Sequence, residues 1–318
     1  MNAPLVTVSV MPKSIRNPYF QDCRRGAEEA AQELGFTLEW DGPQSADAVR
    51  QAQIVAAWVK EGRPVIAVSV ESSSHLTPVL KAARARGTKV VTWDSDAEPE
   101  ARDFTVVHAT TEGVAHALSF EVGRILGGKG TLAAITSTLS APNQNAWIAA
   151  FRSRLAKEYP GITLVDVRPC NDLEENAKRE TLGLLEAHPD LKAIVGFCSP
   201  AVPGAAEALK VARRREVRLT GVSLPSLCRS YIEEGVVESV VMWKTRNLGY
   251  LVGASALAVA TGALKPGAFS FRAGRLGTVA VVKEQIRLGR CHIVTKGNIE
   301  SFGWSVETQV GWRRVEPC

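Results

Sequence analysis

No two cysteines in this chain have the CxxC spacing of a zinc or redox motif. The six of them, Cys23, Cys170, Cys198, Cys228, Cys291 and Cys318, follow no short repeat, so neither a zinc site nor a redox pair has sequence support. The five histidines, His75, His108, His116, His188 and His292, show no ligand spacing either. No GxGxxG follows the first strand-like run, and GxxxxGK followed by Ser or Thr, HExxH and GxSxG are all absent. Dinucleotide binding, nucleotide hydrolysis, zinc proteolysis and serine hydrolysis therefore lose their usual signatures. Gly127-Gly128-Lys129-Gly130 has the composition of a phosphate loop. It stands between a helix and the next strand, the reverse of the order such a loop needs, and reads as a turn.

Long apolar runs are also missing. The longest, Leu251 to Ala260, is too short to span a bilayer. No signal peptide is visible, because Met1-Asn2-Ala3-Pro4 runs almost straight into a strand. The chain is then either cytosolic or a mature form with a replacement start. The formal charge of +5 is scattered apart from Arg213-Arg214-Arg215, which sits at the end of a predicted helix where cations are favoured. A scattered excess implies a solvated surface and no nucleic-acid groove.

What is present fits two lobes of ordinary size: 318 residues, 45% hydrophobic and 22% charged. Strand-like runs at Leu5–Val10, Phe36–Trp40, Pro64–Val70, Lys89–Trp93 and Phe104–Val107 alternate with helical ones at Pro18–Gly35, Ala46–Glu61 and Leu76–Arg86. A helix over Glu112–Leu126 follows. The pattern restarts at Gly130–Thr136 and continues through strands at Ile162–Val167, Ala193–Phe197, Arg218–Val222 and Glu238–Trp243. Its helices fall at Asn143–Glu158, Asn171–Ala187 and Pro203–Val211, with a short one ending at Glu234. A long helix, Asn247–Gly262, precedes an irregular tail with strand-like pieces at Thr278–Lys283 and His292–Thr295. Such alternation predicts an α/β fold of two Rossmann-like lobes with parallel sheets joined by a hinge. The lobes are expected at 1–109 plus about 244–290, and at 110–243 plus about 291–318.

In open parallel sheets ligands bind beyond the carboxyl ends of strands. Those ends carry Lys13, Asn17, Tyr19 and Phe20; Ser69, Glu71 and Ser72; Asp94 and Asp96; Ser137, Asn143 and Gln144; Phe197, Ser199 and Ser223; and Trp243 with Lys244. Amides, carboxylates, an ammonium and aromatic faces suit a polyhydroxylated ring, which needs many hydrogen-bond partners and stacks its C–H faces. Polar residues at strand ends are common in any α/β protein, and it is their recurrence in both lobes that carries weight. Asp94 and Asp96 are two apart, so one is expected to face a ligand and the other to brace a loop. Trp93 is expected in the core and Trp243 in the cleft.

"NPYFQDCRRGAEEAAQELG" after a strand, "VVTWDSDA", "APNQNAW" and "GVSLPSLCRSYIEEGVVESVVMWK" resemble the periplasmic sugar-binding (type I) receptors of ABC importers, in particular the autoinducer-2 and rhamnose branch. The resemblance covers Val6 to about Gly262. It implies two lobes joined by three crossovers, no catalysis and no cofactor, and a monomer that binds a sugar-like molecule and serves a membrane permease in the periplasm. It further implies ligand contacts from Lys13, Asp94 and Gln144, with Asn17, Tyr19 and Phe20 lining the pocket. Three departures stand out: Asn143 replaces an aspartate of the autoinducer-2 receptors, Phe197 and Ser199 replace a proline and an alanine, and Lys244 replaces an aspartate. If Lys244 faces the cleft beside Lys13, the pocket is net positive and suits a ligand carrying a carboxylate; otherwise a neutral sugar fits. A second reading, the effector-binding core of a cytosolic sugar-responsive regulator, lacks the N-terminal helix-turn-helix of such proteins.

Overall fold

The computed structural model describes residues 5–302; the stretch 303–318, assigned above to the second lobe, lies outside the described residues. Five parallel strands form the centre of the first sheet: β1 (Thr7–Met11), β2 (Thr37–Trp40), β3 (Val65–Val68), β4 (Lys89–Trp93) and β5 (Phe104–Val107), in the order β2-β1-β3-β4-β5. Val8, Val10, Ile66, Val68, Val90 and Val91 are all fully buried. Helices cover both faces of these strands, so they read as continuous apolar runs and not as alternation. The covering helices are α1 (Pro18–Leu34), α2 (Ala48–Lys60) and α3 (Ser73–Ala85). Asn17 caps α1, its Oδ1 accepting from the Tyr19 N–H at 3.0 Å, and Pro18 occupies the first turn. Gly35 closes the helix in the left-handed region.

The second sheet repeats the design. Strands β6 (Lys129–Thr136), β7 (Gly161–Pro169), β8 (Ala193–Gly196), β9 (Arg218–Val222) and β10 (Ser239–Met242) run parallel in the order β10-β9-β8-β6-β7. Around them pack α4 (Thr111–Leu126), α5 (Pro142–Glu158), α6 (Glu174–Ala187), α7 (Ala201–Ala212) and α8 (Pro225–Glu233). The helix predicted from Asn171 starts only at Glu174, because Asn171 and Asp172 both adopt left-handed backbone, with φ of 53° and 59°. Asn and Asp tolerate that conformation better than other side chains.

The chain crosses between the sheets three times. It leaves β5 into α4, returns from β10 into α9 (Thr245–Ala260), and crosses again near the end. Helix α9 lies against α1 and the first sheet. The two helices meet backbone to backbone: a methyl group at Gly249 would sit 1.7 Å from the Cys23 carbonyl oxygen, and one at Gly26 1.8 Å from that of Arg246. The tail then adds β11 (Ser270–Arg272), β12 (Thr278–Val282) and β13 (Gln285–Arg287) to the edge of the first sheet. Of these, β13 is parallel to β5, β12 pairs antiparallel with β13, and β11 pairs antiparallel with β12. Finally β14 (His292–Thr295) pairs antiparallel with β10 in the second sheet.

Candidate functional site

Between the two sets of strand ends lies a small cavity of about 30 Å³. Its first wall consists of Lys13 beyond β1, Asn17, Tyr19 and Phe20 at the start of α1, and Asp94 beyond β4. Asp94 takes left-handed backbone, φ 62°. That turn aims its carboxylate back at the cavity, where it accepts from the Tyr19 hydroxyl at 2.8 Å and the Ser69 hydroxyl at 3.0 Å. The Trp243 indole N–H donates in turn to the Tyr19 oxygen at 3.0 Å. A chain of donors thus runs from the end of β10 (Ser239–Met242) in one lobe into the other lobe's carboxylate. Burial and the Asp94 charge hold the Tyr19 phenol well above its usual range, so it stays a donor.

The opposite wall is made by Asn143, Gln144 and Trp147 on the first turns of α5, Asp172 after β7, and Phe197, Cys198 and Ser199 after β8. Val222, Met242 and Trp243 complete it. Gln144 Oε1 accepts from the Thr136 hydroxyl at 2.5 Å and the Ser137 N–H at 2.7 Å. The oxygen is fixed by the Ser137 donor, so the group Gln144 can offer a ligand is its NH₂.

Further side-chain hydrogen bonds tie the walls together. Lys13 Nζ donates to Asn143 Oδ1 at 2.9 Å and lies 3.9 Å from Glu71 Oε2. The Thr138 hydroxyl donates to Glu71 Oε1. Asn17 donates through Nδ2 to Asp172 Oδ2 at 2.7 Å and accepts the Ser199 hydroxyl at 3.1 Å on the oxygen that also caps α1. One amide therefore starts a helix in the first lobe and grips two loops of the second.

Asp172 and His108 are displaced as well. Burial, aided by the Glu71 and Asp94 charges, pushes the Asp172 carboxyl up to about 6, against the Asn17 hydrogen bond and the Lys13 charge. His108, stacked on Trp243 with ring centroids 3.7 Å apart and edge-on to Trp147, is held down at about 4 by burial, with Asp94 pulling upward and Lys13 downward. It is neutral near pH 7, so its 3.7 Å approach to Asp94 is not an ion pair, and neither ring nitrogen has a hydrogen-bond partner in the structure.

Of the residues singled out by sequence, Lys13, Asn17, Tyr19, Phe20, Asp94, Asn143, Gln144, Phe197, Ser199 and Trp243 all line the cavity. Lys244 does not. It is exposed at the cap of α9, near enough to His292 for its charge to depress that imidazole. The net-positive alternative, which required Lys244 in the cleft, is therefore corrected: Lys13 lies 3.9 Å from Glu71, and the field at Asp172 combines the charges of Lys13, Glu71 and Asp94, three formal carboxylates to one ammonium. Asp96 braces its loop, taking the Arg102 Nε–H at 2.7 and 2.9 Å and the Ala97 N–H at 2.9 Å. Trp93 is fully buried, edge-on to Phe20. Sequence reasoning missed Asp172 and His108. The strand-end rule flags His108, directly past Val107 at the end of β5, a signal that metal-ligand spacing does not carry. An Asn-Asp pair after a strand was the available signal for Asp172.

A family model described as a periplasmic binding protein domain matches residues 8–264, and the chain belongs to this family of substrate-binding, non-enzymatic receptors. LsrB from Clostridium saccharobutylicum, solved in complex with AI-2, is 25% identical with a TM-score of 0.88, covering 94% of this chain and 100% of that one. An ABC transporter solute-binding protein from Clostridium phytofermentas with bound L-rhamnose is 26% identical, TM-score 0.89, covering 95% and 99%. The D-apiose import binding protein of Actinobacillus succinogenes is 22% identical over 228 residues, 72% of this chain and 73% of that one. Among the described residues no helix is long and apolar enough to cross a membrane.

Proposed function

We propose that this cavity takes one small neutral sugar, held by Lys13, Asp94, Asn143 and Gln144 and flanked by Tyr19, Phe20, Phe197 and Trp243. The chain is a solute-binding receptor of an ABC-type carbohydrate importer. In this reading it works in the periplasm as a monomer, hands its ligand to a membrane permease, and has no nucleic-acid partner. Among the described residues, its lobes are 5–109 with about 244–290 and 110–243 with about 291–302, hinged at the three crossings. The observation that carries the reading is Asn17 of the first lobe bound to both Asp172 and Ser199 of the second, beside a cavity walled from both sides. A ligand seated there bridges the lobes and favours closure by its differential contacts. A neutral ligand suits the carboxylate excess, since an acid would add like charge in a poorly solvated space.

The test is a thermal-shift screen over neutral pentoses, deoxyhexoses, polyols and sugar acids. Ligand at about 1,000-fold its Kd stabilises by about 4 kcal/mol, a rise of several degrees. A neutral sugar is expected to give the largest rise and sugar acids none. A largest shift from a sugar acid contradicts the neutral pocket, and no shift from any sugar contradicts the receptor.

A further inference from the structure

Beyond the end of β6 the chain turns away into α5, and the loops following its two neighbours close over the gap. Cys170 comes directly after β7, its N–H donating to the Thr136 carbonyl at 2.8 Å. Cys198 lies two residues past β8, just after Phe197, whose N–H donates to the Ile135 carbonyl at 2.7 Å. The two sulfurs are 3.5 Å apart in a buried thiol–thiol contact. They are 28 residues apart in sequence, so no CxxC spacing announces them. The remaining described cysteines make no such contact: Cys228 donates to the Ser223 hydroxyl and Cys291 to the Gly113 carbonyl.

We propose that Cys170 and Cys198 are an oxidisable dithiol set in the cavity wall, converted to a disulfide by a small or protein disulfide of an oxidising compartment. Cys198 lines the cavity and is the sulfur that meets the oxidant. Its thiolate attacks the incoming disulfide, forming a mixed disulfide and expelling one thiol. Cys170 then loses its proton and attacks the Cys198 sulfur, expelling the second thiol. The pair gives up two protons and two electrons, and the oxidant is reduced to two thiols. Burial holds the Cys198 thiol well above its usual range, so in this closed arrangement the first step is slow.

The bond has a consequence for the site. Asp172 stands two residues beyond Cys170, and Ser199 is next to Cys198. Those are the two side chains that grip Asn17. Sulfurs at 3.5 Å must approach to about 2.05 Å to bond, and the bond then ties to each other the two loops that carry both grips.

The experiment treats the full chain with oxidised glutathione, both folded and during refolding, alkylates the remaining thiols after denaturation, and maps the cysteines by mass spectrometry. One intramolecular cross-link between Cys170 and Cys198 is expected, with Cys23 and Cys228 alkylated. Cys170→Ser is expected to stop at a glutathione adduct on Cys198, and Cys198→Ser to form no cross-link. The oxidised protein should melt at a different temperature from the reduced one, a difference reversed by dithiothreitol and absent from Cys198→Ser. Alkylation of both cysteines after both treatments, or a cross-link to any other cysteine, overturns the dithiol. A cross-link with unchanged melting overturns its effect on the lobe contact. These outcomes read only the cysteines, so they stand whichever sugar binds, or if none does.

Discussion

Closing the cleft over Asp172 removes its carboxyl from water, and the carboxyl stays near 6 where 3.8 is usual. The folded chain therefore binds more protons than the unfolded one between about pH 4 and 6. Stability attributable to this group is highest below about pH 4, falls as pH rises to about 6, and is level above that. The cost of the charged form is roughly 2–3 kcal/mol at neutral pH. Asp172→Asn keeps an oxygen for the Asn17 amide and removes the charge. It is expected to melt higher than the parent at pH 7, with the difference shrinking towards pH 4, as followed by thermal unfolding across that range. A constant difference at all pH values would contradict the burial of a charge there. At this scale the sequence was informative where a residue leaves a regular strand, as Asp94 and Lys13 do. It was silent on Asp172, because running a helix through Asn171 hid a turn that only two consecutive left-handed residues reveal. Lys244 illustrates the opposite limit: its position beside Trp243 was legible, but the direction of its side chain is set by the start of α9.

Helices α1 and α9 come from different ends of the chain and pack with Gly26 and Gly249 against each other's backbone. Neither position tolerates a side chain without separating the helices, and overpacking of this kind costs about 1–3 kcal/mol or more. Gly249→Ala is expected to lower the unfolding free energy by that much, read from the fall of the denaturation midpoint at constant slope. Gly297→Ala serves as the control, since nothing lies closer than 3.7 Å to an added methyl there. Equal midpoints for the two variants would show that the helices do not depend on this contact. The helices themselves were readable from their caps and apolar faces, as with Asn17-Pro18 and Gly35. Within the edge extension β12 was readable too, as Thr278–Lys283, whereas β11 and β13 were not, for physical reasons. Strands of three residues, such as Ser270–Arg272 and Gln285–Arg287, carry too little periodicity to register, and β5, the parallel partner of β13, lies far away in sequence.

For the molecule as a whole, the repeat of strand and helix on either side of Gly127–Gly130 announced two lobes. The strand-end rule then located the face where they meet. What no pattern in the chain could supply was how the lobes touch: Asn17 against Asp172 and Ser199, Lys13 against Asn143, Thr138 against Glu71. These pairs are 67 to 182 residues apart, and they turn two half-sites into one. The central claim is that ligand is held by both halves together. Isothermal titration of the sugar that most raises the melting temperature tests it directly, using the parent, Asp94→Ala from the first lobe and Gln144→Ala from the second. Each truncation removes hydrogen bonds worth roughly 1.5–3 kcal/mol where a charge is involved and about 1 kcal/mol where it is not. Asp94→Ala is therefore expected to weaken binding by on the order of tenfold or more, and Gln144→Ala by about fivefold. If either variant binds with the parent's affinity, the sugar is held by one lobe alone and the account of a site closed between two lobes is wrong.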